Sequence, residues 1–120
     1  MQVLTIDDSS TMRKIIKDFL GKIGDFTIEE AEDCSEGLKK LAETKMDLIL
    51  VDWNMPGMTG VDFVKTVRSI PALAGIPIVM VTSNAEKEQV LSAVMAGVNA
   101  YIVKPFTAET FTQKLSEVIG

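Results

Sequence analysis

The chain has 120 residues, with 12 Lys and Arg against 17 Asp and Glu, no His, a formal net charge of −5 and 47% hydrophobic residues. That length implies one domain with ample material for a core, and the negative balance argues against nucleic acid as a direct partner. One cysteine, Cys34, excludes an internal disulfide and fits a reducing compartment; the absence of a secretory leader pattern and of any apolar stretch near the ~20 residues of a membrane helix predicts a cytoplasmic protein away from membranes.

Strand and helix patterns alternate five times, which predicts an α/β fold with a parallel sheet. The first strand spans about Gln2–Asp7. A helix follows with Met12, Ile15, Ile16, Phe19, Leu20 and Ile23 on one face, stopped at Gly24. The second strand covers about Thr27–Ala31. Asp33 with Glu36 reads as a capping box opening a helix with Leu38, Leu41 and Ala42 inward. The third strand covers about Asp47–Asp52. Pro56, Gly57 and Gly60 mark a loop before a helix that turns Phe63, Val64 and Val67 inward. After the loop Pro71–Gly75, Pro77 opens the fourth strand. The fourth helix is expected over about Ala85–Ala96, with Val90, Leu91, Val94 and Met95 inward and Gly97 at its end. The fifth strand covers about Ala100–Val103. The last helix, about Ala108–Ile119, is capped by Thr107 and turns Phe111, Leu115 and Val118 inward.

The strands end on chemistry. Val3-Leu4-Thr5-Ile6 runs into Asp7-Asp8, Leu48-Ile49-Leu50-Val51 into Asp52, Ile78-Val79-Met80-Val81 into Thr82, and Tyr101-Ile102-Val103 into Lys104. Short apolar runs of this kind read as strands buried on both faces, and open α/β sheets bind ligands at the carboxyl ends of their strands. Taken singly, each of these residues reads as a cap, a turn former or a solvated lysine. Together they gather three carboxylates, a hydroxyl and an ammonium on one sheet edge. Two unit charges about 5 Å apart repel by roughly 3 kcal/mol at an effective dielectric near 20, so three carboxylates call for a cation. Mg²⁺ takes oxygen ligands and is typically held by one or two carboxylates plus a phosphate. Asp52 is the best nucleophile candidate, since carboxylates can form aspartyl-phosphates. Phosphoryl transfer then needs positioning and charge neutralisation, which Mg²⁺, Lys104 and Thr82 would supply.

Asp7-Asp8, Asp52, Thr82-Ser83 and Lys104-Pro105 resemble, in type, order and spacing, the receiver domains of two-component response regulators. The likeness covers essentially the whole chain. Within that family it is nearest the chemotaxis receivers, on the runs Asp8-Ser9-Ser10-Thr11-Met12-Arg13, Asp52-Trp53-Asn54-Met55-Pro56, Gly60-Val61, Met80-Val81-Thr82 and Tyr101 to Phe106. It implies a flavodoxin-like sheet of order 2-1-3-4-5 in a single receiver domain, residues 1–120. It further implies Asp52 as phosphoacceptor, with Asp8, Asp52 and the Asn54 backbone carbonyl as Mg²⁺ ligands and Asp7 acting through a water. Lys104, before a cis Pro105, would contact the phosphoryl group with Thr82 and Ser83. Thr82 and Tyr101 would form a switch pair. Asn54 and Asn84 would tune hydrolysis. Expected partners are a chemotaxis-type histidine kinase, a flagellar motor switch protein on the face made by the fourth helix, fifth strand and fifth helix, and a phosphatase. Such a protein signals, catalysing only its own phosphorylation and slow dephosphorylation.

Three other readings compete. A metal-dependent phosphatase with an aspartate nucleophile would commonly place an acid two residues after it, where this chain has Asn54. A flavodoxin would find its flavin phosphate repelled by Asp7-Asp8 unless a cation were present. A receiver excised from a longer regulator would share every motif. Outside the motifs, Met55 and Met58 are candidate partner contacts. Trp53 is a natural fluorescence reporter of the neighbouring site, and Cys34, with no His and no second Cys, has no expected metal or redox role.

Overall fold

The computed structural model describes residues 1–119. Strands and helices alternate as β1 (Gln2–Ile6), α1 (Ser10–Ile23), β2 (Thr27–Ala31), α2 (Cys34–Glu43), β3 (Leu48–Val51), α3 (Gly60–Ser69), β4 (Ile78–Thr82), α4 (Lys87–Ala96), β5 (Ala100–Val103) and α5 (Ala108–Ile119). The five strands form one parallel sheet in the order β2-β1-β3-β4-β5. The chain moves outward from β1 to β2, then reverses to β3 on the other side of β1. That reversal opens a crevice at the carboxyl ends of β1 and β3.

Side chains alternate across each strand and build two cores. Leu4, Ile6, Ile49, Val51, Ile78 and Met80 pack with Leu41, Phe63, Val64, Val67 and Ala93 of α2, α3 and α4. Val3, Leu48, Leu50, Val79, Val81 and Ile102 pack with Ile16, Leu20, Phe111 and Leu115 of α1 and α5. The two-sided burial explains why the central strands β3 and β4 are nearly continuous apolar runs, whereas edge strand β2 carries Glu29 and Glu30.

The caps follow the sequence. Ser9, Asp33, Thr59 and Thr107 accept from the N–H groups of Met12, Glu36, Asp62 and Thr110 at 2.8–3.2 Å, satisfying donors that a helix start leaves free. Gly24 ends α1. Gly97 ends α4 with φ of 116°, a left-handed conformation suited to glycine.

Four expectations are corrected. The fourth helix begins at Lys87, not Ala85. It turns Ala93 inward, while Leu91, Val94 and Met95 are 57%, 54% and 79% exposed. Apolar residues lie all round this helix, so their spacing selects no face. In α2, Ala42 is exposed, and Cys34, Gly37 and Leu41 form the buried stripe. Gly37 sits there because a Cβ would overlap Ile6. Met55 is buried in the core, so it is no surface contact. Asp7, Asp47 and Asp52 lie just outside the strands, and Asp47 accepts from the Gln2 N–H at 2.8 Å.

Candidate metal and phosphoryl site

Asp7 follows β1, and its backbone is held from both sides. Its N–H donates to the Ala31 carbonyl at 3.1 Å, and its own carbonyl accepts from the Arg13 guanidinium. Its Oδ1 accepts from the Ser9 N–H at 2.9 Å. Asp52 follows β3 with its N–H on the Ile6 carbonyl at 3.1 Å. The loop after Asp52 closes back on it. Gly60 donates to the Trp53 carbonyl at 2.9 Å, and a Cβ at Gly60 would overlap the Asp52 carbonyl, so only glycine allows this closure.

Carboxylate oxygens of Asp7, Asp8 and Asp52 all lie within 4.8 Å of one another. Asp7 and Asp52 are buried, whereas Asp8 is exposed. Lys104 bridges the buried pair, its Nζ 2.8 Å from Asp7 Oδ2 and 3.0 Å from Asp52 Oδ2. Its backbone is fixed by the Lys104 N–H on the Thr82 carbonyl at 2.9 Å and by a cis peptide to Pro105. Phe106, two residues on, packs against Phe19 of α1 and Phe111 of α5, with ring centroids 5.7 and 5.4 Å apart. The aromatic cluster therefore seats the loop that delivers the ammonium.

Both ends of this bridge have raised pKa values, which disfavours the charge on the acid and favours it on the ammonium. Burial pushes the Asp7 carboxyl up, and the hydrogen bond from Lys104 only partly offsets it. For Lys104, burial works against the ammonium, but the hydrogen bonds to Asp7 and Asp52 outweigh it and hold its pKa above the usual lysine range. Lys104 therefore stays charged, and burial of Asp7 works against its negative charge.

Three carboxylates against one ammonium leave two negative charges in the crevice. Among the described residues, the Asp8 side chain has no hydrogen-bond partner, so its oxygens are free donors. Hard oxygen donors with that charge fit a divalent cation. The acidic triad can bind a metal.

The remaining residues form a second, linked group. Thr82 is fully buried at the end of β4, and its Oγ1 accepts from the Asn84 N–H at 3.3 Å. The Asn84 carbonyl accepts from the Tyr101 hydroxyl, and its Oδ1 from the Glu86 N–H at 3.3 Å. Tyr101 is half-buried, and burial together with the Asp52 charge raises its phenol pKa. Ser83 and Asn54 are exposed, and the Asn54 N–H points to Asp52 Oδ1 at 3.4 Å. Among the described residues, the Thr82 side chain makes no bond to the carboxylates.

Sequence reasoning missed two arginines. Arg13 is buried, donates to the Asp7 backbone carbonyl and is held by Glu30. Arg68 of α3 donates to the carbonyls of Ala74, Ile76 and Gly97 and to Asn99 Oδ1, at 2.7–3.1 Å, tying the α3–β4 loop to the α4–β5 loop. Their partners lie 6 to 31 residues away in sequence, beyond any local pattern.

An open parallel α/β sheet with an acidic cluster at its switch point and a lysine across it defines a receiver of phosphoryl signals. Residues 3–116 match the family described as the response regulator receiver domain, and the chain belongs to that family. It is 44% identical to the chemotaxis protein CheY-3 of Vibrio cholerae over 98% of this chain and 91% of that one. It is 43% identical to the chemotaxis protein CheY of Pseudomonas aeruginosa, over 98% and 95%. The solved structure of V. cholerae CheY4 superposes with a TM-score of 0.89 at 36% identity, covering 98% and 97% of the two chains. The protein is thus a two-component signalling domain with a CheY-like fold.

Proposed function

We propose that this chain acts as a single receiver domain, residues 1–120, which takes a phosphoryl group on Asp52 from the phosphohistidine of a chemotaxis-type histidine kinase and signals to the flagellar motor switch in the cytoplasm. The supporting observation is the Lys104 ammonium seated between Asp7 and Asp52, with an Asp8 carboxylate oxygen within 4.8 Å of theirs.

In the transfer, an Asp52 oxygen forms the new O–P bond as the N–P bond to the kinase imidazole breaks. Asp8, Asp52 and the Asn54 backbone carbonyl would hold Mg²⁺, with Asp7 reaching it through a water. Mg²⁺ would supply charge neutralisation at the phosphoryl oxygens. Lys104, already held above the usual lysine range, keeps its charge to bind another of those oxygens. Thr82 and Ser83 would bind the phosphoryl group from the β4 side. Asn54 and Asn84 would set how long it survives. Asn54 has no acidic proton to give, which favours a lingering phosphoryl group over phosphatase turnover. The exposed Leu91, Val94 and Met95 of α4 and Val103 of β5 offer an apolar surface for the output partner. A phosphatase would reset the signal.

Intact-mass spectrometry after incubation with acetyl phosphate and Mg²⁺ tests the acceptor. Wild type should gain one phosphate, and Asp52→Asn none. A full adduct on Asp52→Asn would place the acceptor elsewhere. Capture of the phosphorylated form, but not the free form, by a flagellar switch-protein peptide would test the output.

A further inference from the structure

We propose that Arg13 is a positioning residue that sets Asp8 for a divalent cation, acting through the peptide between Asp7 and Asp8. The proposal rests on the cation reading given above.

Of the three acids, two have their carboxylates fixed by the protein. Asp7 is held by Lys104 and the Ser9 N–H, and Asp52 by Lys104. Asp8 has no such side-chain tie among the described residues, and it is exposed. Where its carboxylate lies therefore depends on its backbone. That backbone begins with the Asp7 carbonyl, which accepts from Arg13 Nη1. The Asp7 carbonyl and the Asp8 N–H belong to one planar unit, so holding the first orients the second.

Arg13 is suited to hold it. It lies in the first turns of α1, 9% exposed, and its planar guanidinium donates in fixed directions. Its Nε donates to Glu30 Oε1 at 3.0 Å, and Glu30 Oε2 pairs with Lys17 at 3.3 Å. Glu30 stands on β2 opposite Thr5 of β1, two residues before Asp7. The clamp thus runs from β2 through Arg13 to the Asp7–Asp8 peptide. Hydrogen-bond partners behind a metal ligand typically change affinity by about 10- to 100-fold when removed.

Positioning and simple charge predict opposite signs. Removing a cation near three carboxylates should tighten Mg²⁺ binding by Coulomb attraction alone. If Arg13 positions Asp8, its loss should weaken binding. Mg²⁺ titrations followed by Trp53 fluorescence and by calorimetry would compare wild type, Arg13→Met, Arg13→Lys and Glu30→Gln, each with a melting curve in EDTA. We expect a loss of about 10- to 100-fold for Arg13→Met. Arg13→Lys, which keeps the charge but not the fork, and Glu30→Gln, which keeps an acceptor, should lie between it and wild type. Affinity equal to or tighter than wild type in folded Arg13→Met overturns the proposal. Should that variant be unfolded in EDTA, unchanged affinity in Arg13→Lys overturns it instead. Wild type that binds no Mg²⁺ would remove the cation reading and this proposal together, whereas wild-type binding with indifferent variants removes this proposal alone.

Discussion

The Tyr101 hydroxyl donates to the backbone carbonyl of Asn84, the residue whose N–H donates to Thr82 Oγ1. One peptide-bonded residue therefore connects the buried hydroxyl at the end of β4 to the only tyrosine of the chain. A Thr82 hydroxyl drawn toward a phosphoryl group would release the Asn84 N–H and disturb the acceptor of Tyr101.

Thr82→Ala should accept phosphate on Asp52 yet lose most of the gain in partner affinity that phosphorylation brings. A ligand shifts an equilibrium only by its differential affinity for the two states, and the alanine has no hydroxyl through which to couple. Tyr101→Phe should cost about 1 kcal/mol of stability through the lost hydrogen bond and blunt the same gain. Phosphoryl incorporation and peptide affinity measured in parallel would check both. A full gain in Thr82→Ala would show that coupling runs by another route.

Mg²⁺ should stabilise the wild type by about 2.7 kcal/mol at a hundred times its dissociation constant. Asp8→Ala should show little of that gain, because it removes the triad carboxylate that has no side-chain tie among the described residues while leaving the Lys104 bridge intact. Denaturant melts of both proteins with and without Mg²⁺ give the comparison. Equal stabilisation would exclude Asp8 as a ligand.

Thr5 is fully buried in β1, and among the described residues its Oγ1 has no hydrogen-bond partner. An unsatisfied buried hydroxyl costs about 1–3 kcal/mol, and valine has the same shape without it. Thr5→Val should raise stability by about 1 kcal/mol, seen as a higher urea midpoint with an unchanged slope. A lower midpoint would mean that the hydroxyl is satisfied in solution.

Burial, with smaller contributions from Asp33 and Asp62, pushes the Cys34 thiol up to about 11. In the unfolded chain it ionises near pH 8.5. Between those values the folded protein keeps a proton that the unfolded chain has lost. Stability therefore falls as pH rises through this window, by about 3 kcal/mol at its upper end. Cys34→Ala should show a flatter decline from pH 8.5 to 11 in urea melts, with the lysine and tyrosine titrations common to both proteins. Parallel declines would contradict the burial effect.

The strands, their alternation with helices, and the placing of Asp7, Asp8, Asp52, Thr82 and Lys104 at strand ends were all legible in the sequence. Strands buried on both faces must be apolar throughout, and helix starts must be capped, so composition marks both. The carboxyl edge followed because parallel strands all end on one side. The outward face of α4 was not legible, since its apolar residues surround the helix and only the packing of Ala93 into the core decides which side is buried. Nor was the Lys104 bridge, whose partners lie 97 and 52 residues away, or the Arg13 clamp on Asp7 and Glu30. Periodicity reports which face of an element is apolar. Which charges meet across elements depends on how the elements stack, and that information exists only once the chain has folded.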